Sequence, residues 1–152
     1  MASPPSATHF GRILLAVDGS ETSARAVQHL VAMRKELRDA DTMAIHVINV
    51  QLPVSGDVAS FVAAKSLDEY HAEKAEEALA PARAVLDAAG LKYEAQHRVG
   101  SPGATIAETA QSLGCGLILM GTRGAGGAGA VLLGSVAQST VEHAGVPVLL
   151  VK

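Results

Sequence analysis

Short runs of consecutive apolar residues, separated by helix-like segments, constrain the fold of this chain more than any other feature. Such runs stand at residues 13–17, at 117–120 and, around one proline, at 146–151. A strand made only of apolar residues is buried on both faces, as in a parallel sheet covered by helices. Residues 43–50 form another strand candidate. Residues 93–99 instead alternate apolar and polar side chains, as a strand at a sheet edge does.

Helical patterns fill the gaps between these strand candidates. Ser20 and Ser101 are predicted to cap the first and third helices, and Ser135 to cap the last one, through about residue 144. The second helix is expected over residues 60–89, where Pro81 should kink or split it. The resulting order, β-α-β-α-β-α-β-α-β, predicts an α/β fold with one parallel sheet and, through right-handed crossovers, helices on both faces.

Composition narrows the class of protein. A length of 152 residues predicts one domain, which we place at residues 10–152 after a frayed tail at 1–9. Lys and Arg number 12 against 15 Asp and Glu, and aromatic residues make up 3%, so a nucleic-acid-binding surface is not expected. No apolar run reaches the roughly 18 residues of a membrane span. One cysteine excludes an internal disulfide, and a reduced, cytoplasmic setting fits best.

A glycine-rich loop follows the fourth strand candidate and leads into the last helix. Five of the 15 glycines lie at residues 121–129. A glycine-rich turn that enters a helix N-terminus offers free backbone N–H groups to an anion such as phosphate. No lysine follows a glycine, which excludes a Walker loop. Residues 124–129 match G-x-G-x-x-G, but the acidic residue expected about 20 positions later is absent, so we interpret this match as accidental.

A different spacing fits the loop better, namely Gly121-x2-Gly124-x9-Gly134-Ser135. In this spacing the sequence resembles the universal stress protein family. The resemblance extends along almost the whole ordered length. The other matching stretches are residues 13–20, 46–50, 100–102, 120–124, 133–136 and 146–151. The resemblance implies a five-stranded parallel sheet in the order 3-2-1-4-5, with a Rossmann-like, adenine nucleotide alpha hydrolase-like architecture.

The resemblance also implies where a nucleotide would bind. Asp18, after the first strand, would face the nucleotide, and Val47 in the second strand would border adenine. The remaining residues are expected near the adenosine, ribose and phosphates; they are Met120, Gly121, Gly124, Gly134, Ser135 and Val136. Residues 125–133 hold no Lys, Arg or His, which leaves Arg123 as the cation of the loop. Phosphate binding would then depend on backbone amides, Ser135 and Mg²⁺, with Asp18 as an indirect Mg²⁺ contact.

The sequence alone leaves three functions open. An adenine-nucleotide-binding stress or regulatory protein, holding ATP, ADP or AMP with Mg²⁺, is preferred. The sequence has no G-x-S-x-G elbow and no spacing that suggests a Cys–His pair or paired carboxylates, so no catalytic residue is assigned. A slow ATPase is the second hypothesis. A family member that binds no nucleotide and acts through protein contacts is the third.

The last strand candidate also suggests an assembly. In the order 3-2-1-4-5 it lies at a sheet edge, where an exposed apolar strand promotes aggregation unless something covers it. Relatives in the family cover it with its copy in a second subunit. We therefore expect a homodimer built on Val146 to Val151, a contact that is self-complementary and closes at two subunits.

Overall fold

The computed structural model describes residues 10–38, 40–56, 64–123 and 133–152. The predicted tail at residues 1–9 and the predicted site residue Gly124 lie outside these ranges. The strands are β1 (Arg12–Ala16), β2 (Ala44–Gln51), β3 (Glu94–Val99), β4 (Leu117–Gly121) and β5 (Val148–Val151). They form a parallel sheet in the order β3-β2-β1-β4-β5. The predicted sheet and its order are confirmed, and β3 and β5 are its edges.

The helices are α1 (Glu21–Glu36), α2 (Ala64–Ala88), α3 (Pro102–Ser112) and α4 (Ser135–His143), and a short 3-10 turn covers Ala40–Thr42. Pro81 lies inside α2, and the helix continues through it, so the predicted split does not occur. β5 begins two residues later than predicted, after Pro147, whose carbonyl accepts the Ile118 N–H at 3.0 Å. Across the described ranges, no helix is both long and apolar enough to span a membrane.

Alternate residues of the strands contribute to two hydrophobic cores, one on each face of the sheet. On one face, Ile13, Leu15 and Val47 pack with buried residues of α1 and α2, such as Leu30 and Leu79. The other core combines Leu14, Ala16, Ile48, Ile118 and Met120 with Ile106 and Ala110 of α3 and Ala137 of α4. Helices therefore cover both faces, which explains why Ile13–Ala16 of β1 and Leu117–Met120 of β4 are apolar throughout.

The two helices of the second core approach each other closely at Gly103. This residue is buried in the first turn of α3, and a methyl group placed on it would overlap the side chain of Ser139 in α4. A hydrogen atom is therefore the only side chain that fits at this crossing. The contact joins the first turn of α3 to the middle of α4, where Ser139 lies.

The helix N-termini differ in how they are capped. Ser20 caps α1 as predicted, and its Oγ accepts the Ser23 N–H at 3.2 Å. Ser101 precedes α3 as its cap, with Pro102 in the first turn, although its side chain makes no capping bond. The predicted cap at Ser135 is wrong: Gly134 is the N-cap of α4, and Ser135 is the first helical residue. The exposed hydroxyl of Ser135 therefore makes no capping hydrogen bond.

This difference predicts unequal effects of two matched serine substitutions. Ser20→Ala is expected to lower the free energy of unfolding by about 1 kcal/mol, because an N–H of α1 loses its acceptor. Ser135→Ala is expected to change it by less than roughly 0.5 kcal/mol, as surface substitutions usually do. Urea denaturation of both variants measures the two values. Equal losses in the two would contradict the assigned caps.

Candidate functional site

A pocket opens at the carboxyl ends of β1, β2 and β4, between the N-terminal ends of α3 and α4. This is the position where ligands bind in open parallel sheets, next to the point where the strand order reverses. The pocket encloses about 520 Å³, counting the space at its open mouth. Its walls are formed by Ala16, Val17, Asp18, Ser23, Ile48, Val50, Pro102, Ile106, Met120, Gly121, Arg123, Val136 and Ala137.

Asp18 is held in the turn between β1 and α1. Its Oδ1 accepts the Ser20 N–H at 2.9 Å, and its own N–H donates to Ser23 Oγ at 3.1 Å. Ser23 is buried, whereas Asp18 is exposed at the pocket wall. The turn therefore presents a carboxylate to the pocket while one of its oxygens is engaged by the backbone.

The end of β4 packs directly against the start of α1. A side chain at Gly121 would come within 2.9 Å of the Thr22 backbone, so glycine is required for this approach. Thr22 is buried, and its Oγ1 donates to the Arg123 carbonyl at 2.8 Å. These contacts fix the path of the backbone where Gly121 and Arg123 line the pocket.

Backbone bonds join the two ends of the glycine-rich loop. The Gly134 N–H donates to the Thr122 carbonyl at 2.6 Å, and the Thr122 N–H donates to the Val151 carbonyl at 2.9 Å. The first turn of α4 is thereby placed at the end of β4, and Val136 lines the pocket. The first N–H groups of a helix have no partner within the helix, so this turn offers donors to an anion.

The structure brings together five of the predicted site residues, which come from three separate segments. Asp18, Met120, Gly121, Arg123 and Val136 all line the pocket. Gly134 and Ser135 directly precede Val136 but are not among the residues that line the pocket. Arg123 is half-buried, and Arg123 and Asp18 are the two charged residues among those described that line the pocket.

Val47 is placed away from the pocket. In the sheet register it aligns with Leu15 of β1, whose side chain lies on the face covered by α1 and α2, and it is 1% exposed. The pocket belongs to the opposite face, to which Ile48 contributes. β2 therefore lines the pocket with Ile48 and Val50.

Sequence reasoning missed much of the apolar wall, notably Ile48, Val50, Pro102 and Ile106. One signal was available for β2. Residues of a strand alternate between faces, so Ile48 and Val50 share a face with each other and not with Val47. The same alternation places Ala16, the partner of Ile48 in the register, on the pocket side.

Among the residues described, no group of three or more His, Cys, Asp or Glu side chains is placed to hold a metal ion. Burial raises the pKa of the Cys115 thiol, which disfavours the reactive thiolate. The pocket thus combines apolar walls with one carboxylate, one guanidinium and a helix N-terminus.

Comparisons with known proteins agree with this architecture. The universal stress protein family model matches residues 9–152. Universal stress protein MJ0531 of Methanocaldococcus jannaschii is 33% identical over 147 residues, which cover 94% of this chain and 82% of the relative. The solved structure of MJ0577 from the same organism superposes with a TM-score of 0.78 at 26% identity, covering 95% of this chain and 97% of the other.

A universal stress protein solved in complex with cAMP superposes with a TM-score of 0.67 at 25% identity, covering 93% of this chain and 96% of the other. The family match, the relative and the two solved structures each span more than nine-tenths of the sequence. This chain belongs to the universal stress protein family.

Proposed function

We propose that this protein binds an adenine nucleotide, ATP, ADP or AMP, in the pocket at the carboxyl ends of β1 and β4. The observation that carries the proposal is the meeting of Asp18, Met120, Gly121, Arg123 and Val136 in one pocket. A related structure at 25% identity contains cAMP, which supports an adenine nucleotide as the ligand class. We further propose that the protein acts in a stress response or in regulation.

The chemistry of the walls suits the two ends of such a ligand. Ile48, Val50, Ile106 and Met120 provide an apolar surface for a purine ring, as ligand pockets commonly do. The first turn of α4 and Arg123 provide N–H groups and positive charge for phosphate oxygens. In this proposal Gly134 and Ser135 contribute through the backbone at the start of α4.

Mg²⁺ fits this site as a companion of the phosphates. Mg²⁺ is usually held by one or two carboxylates together with substrate phosphates and water. Asp18 supplies an exposed carboxylate at the pocket wall, and its Oδ1 accepts the Ser20 N–H. Asp18 would therefore contact the ion through water, while the ion would screen the negative charge of the phosphates.

Calorimetric titration with ATP and Mg²⁺ tests the proposal. We expect a saturable, single-site isotherm for ATP and a clearly weaker one for CTP, whose smaller ring leaves part of the apolar wall uncovered. Chemical analysis for bound nucleotide after purification provides an independent measurement. A folded protein that binds no ATP at millimolar concentration would exclude this function.

The role of Asp18 leads to a specific prediction. Asp18→Asn keeps an oxygen that can accept the Ser20 N–H but removes the charge. We expect roughly tenfold weaker binding of ATP with Mg²⁺, since a charge-assisted contact is lost. Binding of adenosine should be unchanged. Asp41→Asn is the control, because Asp41 precedes the amino end of β2, whereas the pocket lies at the carboxyl ends of the strands. If both variants bind ATP equally well, Asp18 does not face the phosphates.

We also propose that the protein is a homodimer through its last strand. β5 is an edge of the sheet, and its four residues are each only partly buried. Val148 and Leu150 face one core and Leu149 and Val151 the other, so pairing with a second β5 would extend both cores. An isologous contact of this kind closes at two subunits.

A further inference from the structure

Ser23 contributes a buried hydroxyl group to the wall of the pocket. It lies in the first turn of α1, and 5% of its surface is exposed. Its Oγ accepts the Asp18 N–H at 3.1 Å, and its own backbone N–H donates to Ser20 Oγ at 3.2 Å. The turn between β1 and α1 thus holds the Ser23 oxygen in place beside the pocket.

The hydroxyl group of Ser23 makes fewer hydrogen bonds than it can. A serine hydroxyl offers one O–H donor and two acceptor lone pairs. The Asp18 N–H occupies one lone pair, and none of the described residues accepts the hydroxyl proton of Ser23. The buried hydroxyls of Thr109 and Thr140 differ, because each donates at 2.7 Å to the carbonyl four residues earlier in its own helix.

The position of Ser23 at the start of α1 explains this difference. The residue four positions earlier is Gly19, which lies in the turn before the helix with a φ of +82°. Its carbonyl is therefore outside the helical pattern that serves Thr109 and Thr140. Buried polar groups almost always have a hydrogen-bond partner. Because Ser23 is buried and lines the pocket, we expect the acceptor of its proton to lie in the pocket.

The neighbours of Ser23 indicate which part of a ligand would supply that acceptor. Thr22, the preceding residue, packs against Gly121 and donates to the Arg123 carbonyl at 2.8 Å. Ser23 therefore lies at the end of the pocket that carries the charged residues Asp18 and Arg123. An ionised phosphate offers acceptor oxygens, and hydrogen bonds to it are stronger than those between neutral groups.

We propose that the Ser23 hydroxyl donates a hydrogen bond to a phosphate oxygen of the bound nucleotide. This inference rests on the proposed function and adds to it a side-chain donor that the family motif does not include. Ser23 Oγ would then accept from the Asp18 N–H and donate to the phosphate at the same time. Consecutive hydrogen bonds polarise one another, so the first bond strengthens the second.

Calorimetric titration of Ser23→Ala with ATP and Mg²⁺ tests this proposal. We expect roughly tenfold weaker binding than in the wild type, because a hydrogen bond to a charged group is lost. Binding of adenosine, which has no phosphate, should be unchanged. Ser20→Ala is the matched control. It removes a hydroxyl from the same turn, but from a residue that is not among those described at the pocket wall, so ATP binding should be unchanged.

Two further variants separate a direct contact from a role through Asp18. Ser23→Cys keeps the shape of the side chain and a weak acceptor for the Asp18 N–H, but a thiol is a weak donor. It should bind ATP nearly as weakly as Ser23→Ala. Combining Asp18→Asn with Ser23→Ala should add the two losses, to about a hundredfold. Circular dichroism verifies that each variant is folded.

Three results would overturn the proposal. In the first, Ser23→Ala binds ATP as the wild type does. In the second, adenosine binding weakens as much as ATP binding, which assigns the contact to the nucleoside. In the third, the double variant binds no more weakly than Asp18→Asn alone, which leaves Ser23 with a structural role only. Titration of the wild type tests the proposed function separately: a wild type that binds ATP, together with an unaffected Ser23→Ala, excludes only this contact.

Discussion

Gly103→Ala is expected to destabilise the protein by about 1–3 kcal/mol, the usual range for overpacking a core. The added methyl group would overlap Ser139 and come within 2.8 Å of its carbonyl carbon, so α3 and α4 must move apart. Helix propensity alone predicts the opposite sign, because alanine is favoured over glycine by about 1 kcal/mol. Urea denaturation measures the difference, and its sign decides between the two effects.

Two further variants control for this experiment. Gly145→Ala adds the same methyl group where no other atom lies within 4 Å, so it should leave the stability almost unchanged. Combining Gly103→Ala with Ser139→Gly removes the overlapping side chain and should recover part of the loss. A Gly103→Ala variant as stable as the wild type would show that the two helices are farther apart than described.

The second large effect concerns the proposed dimer. Replacing Val148 and Leu150 by lysine should convert a dimer into a monomer, because two ammonium groups would have to be buried in an apolar interface. We expect the dissociation constant to rise by at least roughly a hundredfold. Light scattering coupled to size-exclusion chromatography measures the mass of both proteins, and circular dichroism verifies that the variant remains folded.

The other edge of the sheet supplies the control for this experiment. His97→Lys places the same charge on an exposed position of β3, which is not part of the proposed interface, and should leave the dimer intact. The wild-type protein provides a test that does not depend on how the variants fold. If it is a monomer at micromolar concentrations, the proposed pairing of β5 does not occur.

The fold could be predicted well from the sequence because its strands differ in burial. Ile13–Ala16 and Leu117–Gly121 are buried on both faces, and their residues are apolar or small throughout. β3 is an edge, and its residues alternate. Local features were less informative. Pro81 is accommodated within α2, and the cap of α4 is Gly134 because the helix begins at Ser135, one residue earlier than a cap at that serine predicted.

The candidate site was only partly predictable. Asp18, Gly121 and Arg123 lie at or just after the carboxyl ends of β1 and β4. The carboxyl ends of parallel strands lie on the same side of the sheet, so the order of elements along the chain predicts that these three residues lie close together. The family motif gives a position in the sequence but not the face of the sheet that its side chain occupies. Val47 and Ile48 are adjacent apolar residues of β2, and Ile48 is the one that lies on the pocket face. Pro102 and Ile106 reach the pocket through the packing of α3, which no local pattern in the sequence encodes.

The bonds from Gly134 to Thr122 and from Thr122 to Val151 have a consequence for how this chain can be altered. They fix the entry and the exit of residues 124–132 to the sheet itself, and the entropic cost of a longer loop grows only slowly with its length. The segment can therefore be exchanged as a cassette, with a sequence of different length and charge, while the five strands keep their register. Under the proposed function, such exchanges would alter selectivity among phosphorylated ligands without a redesign of the scaffold.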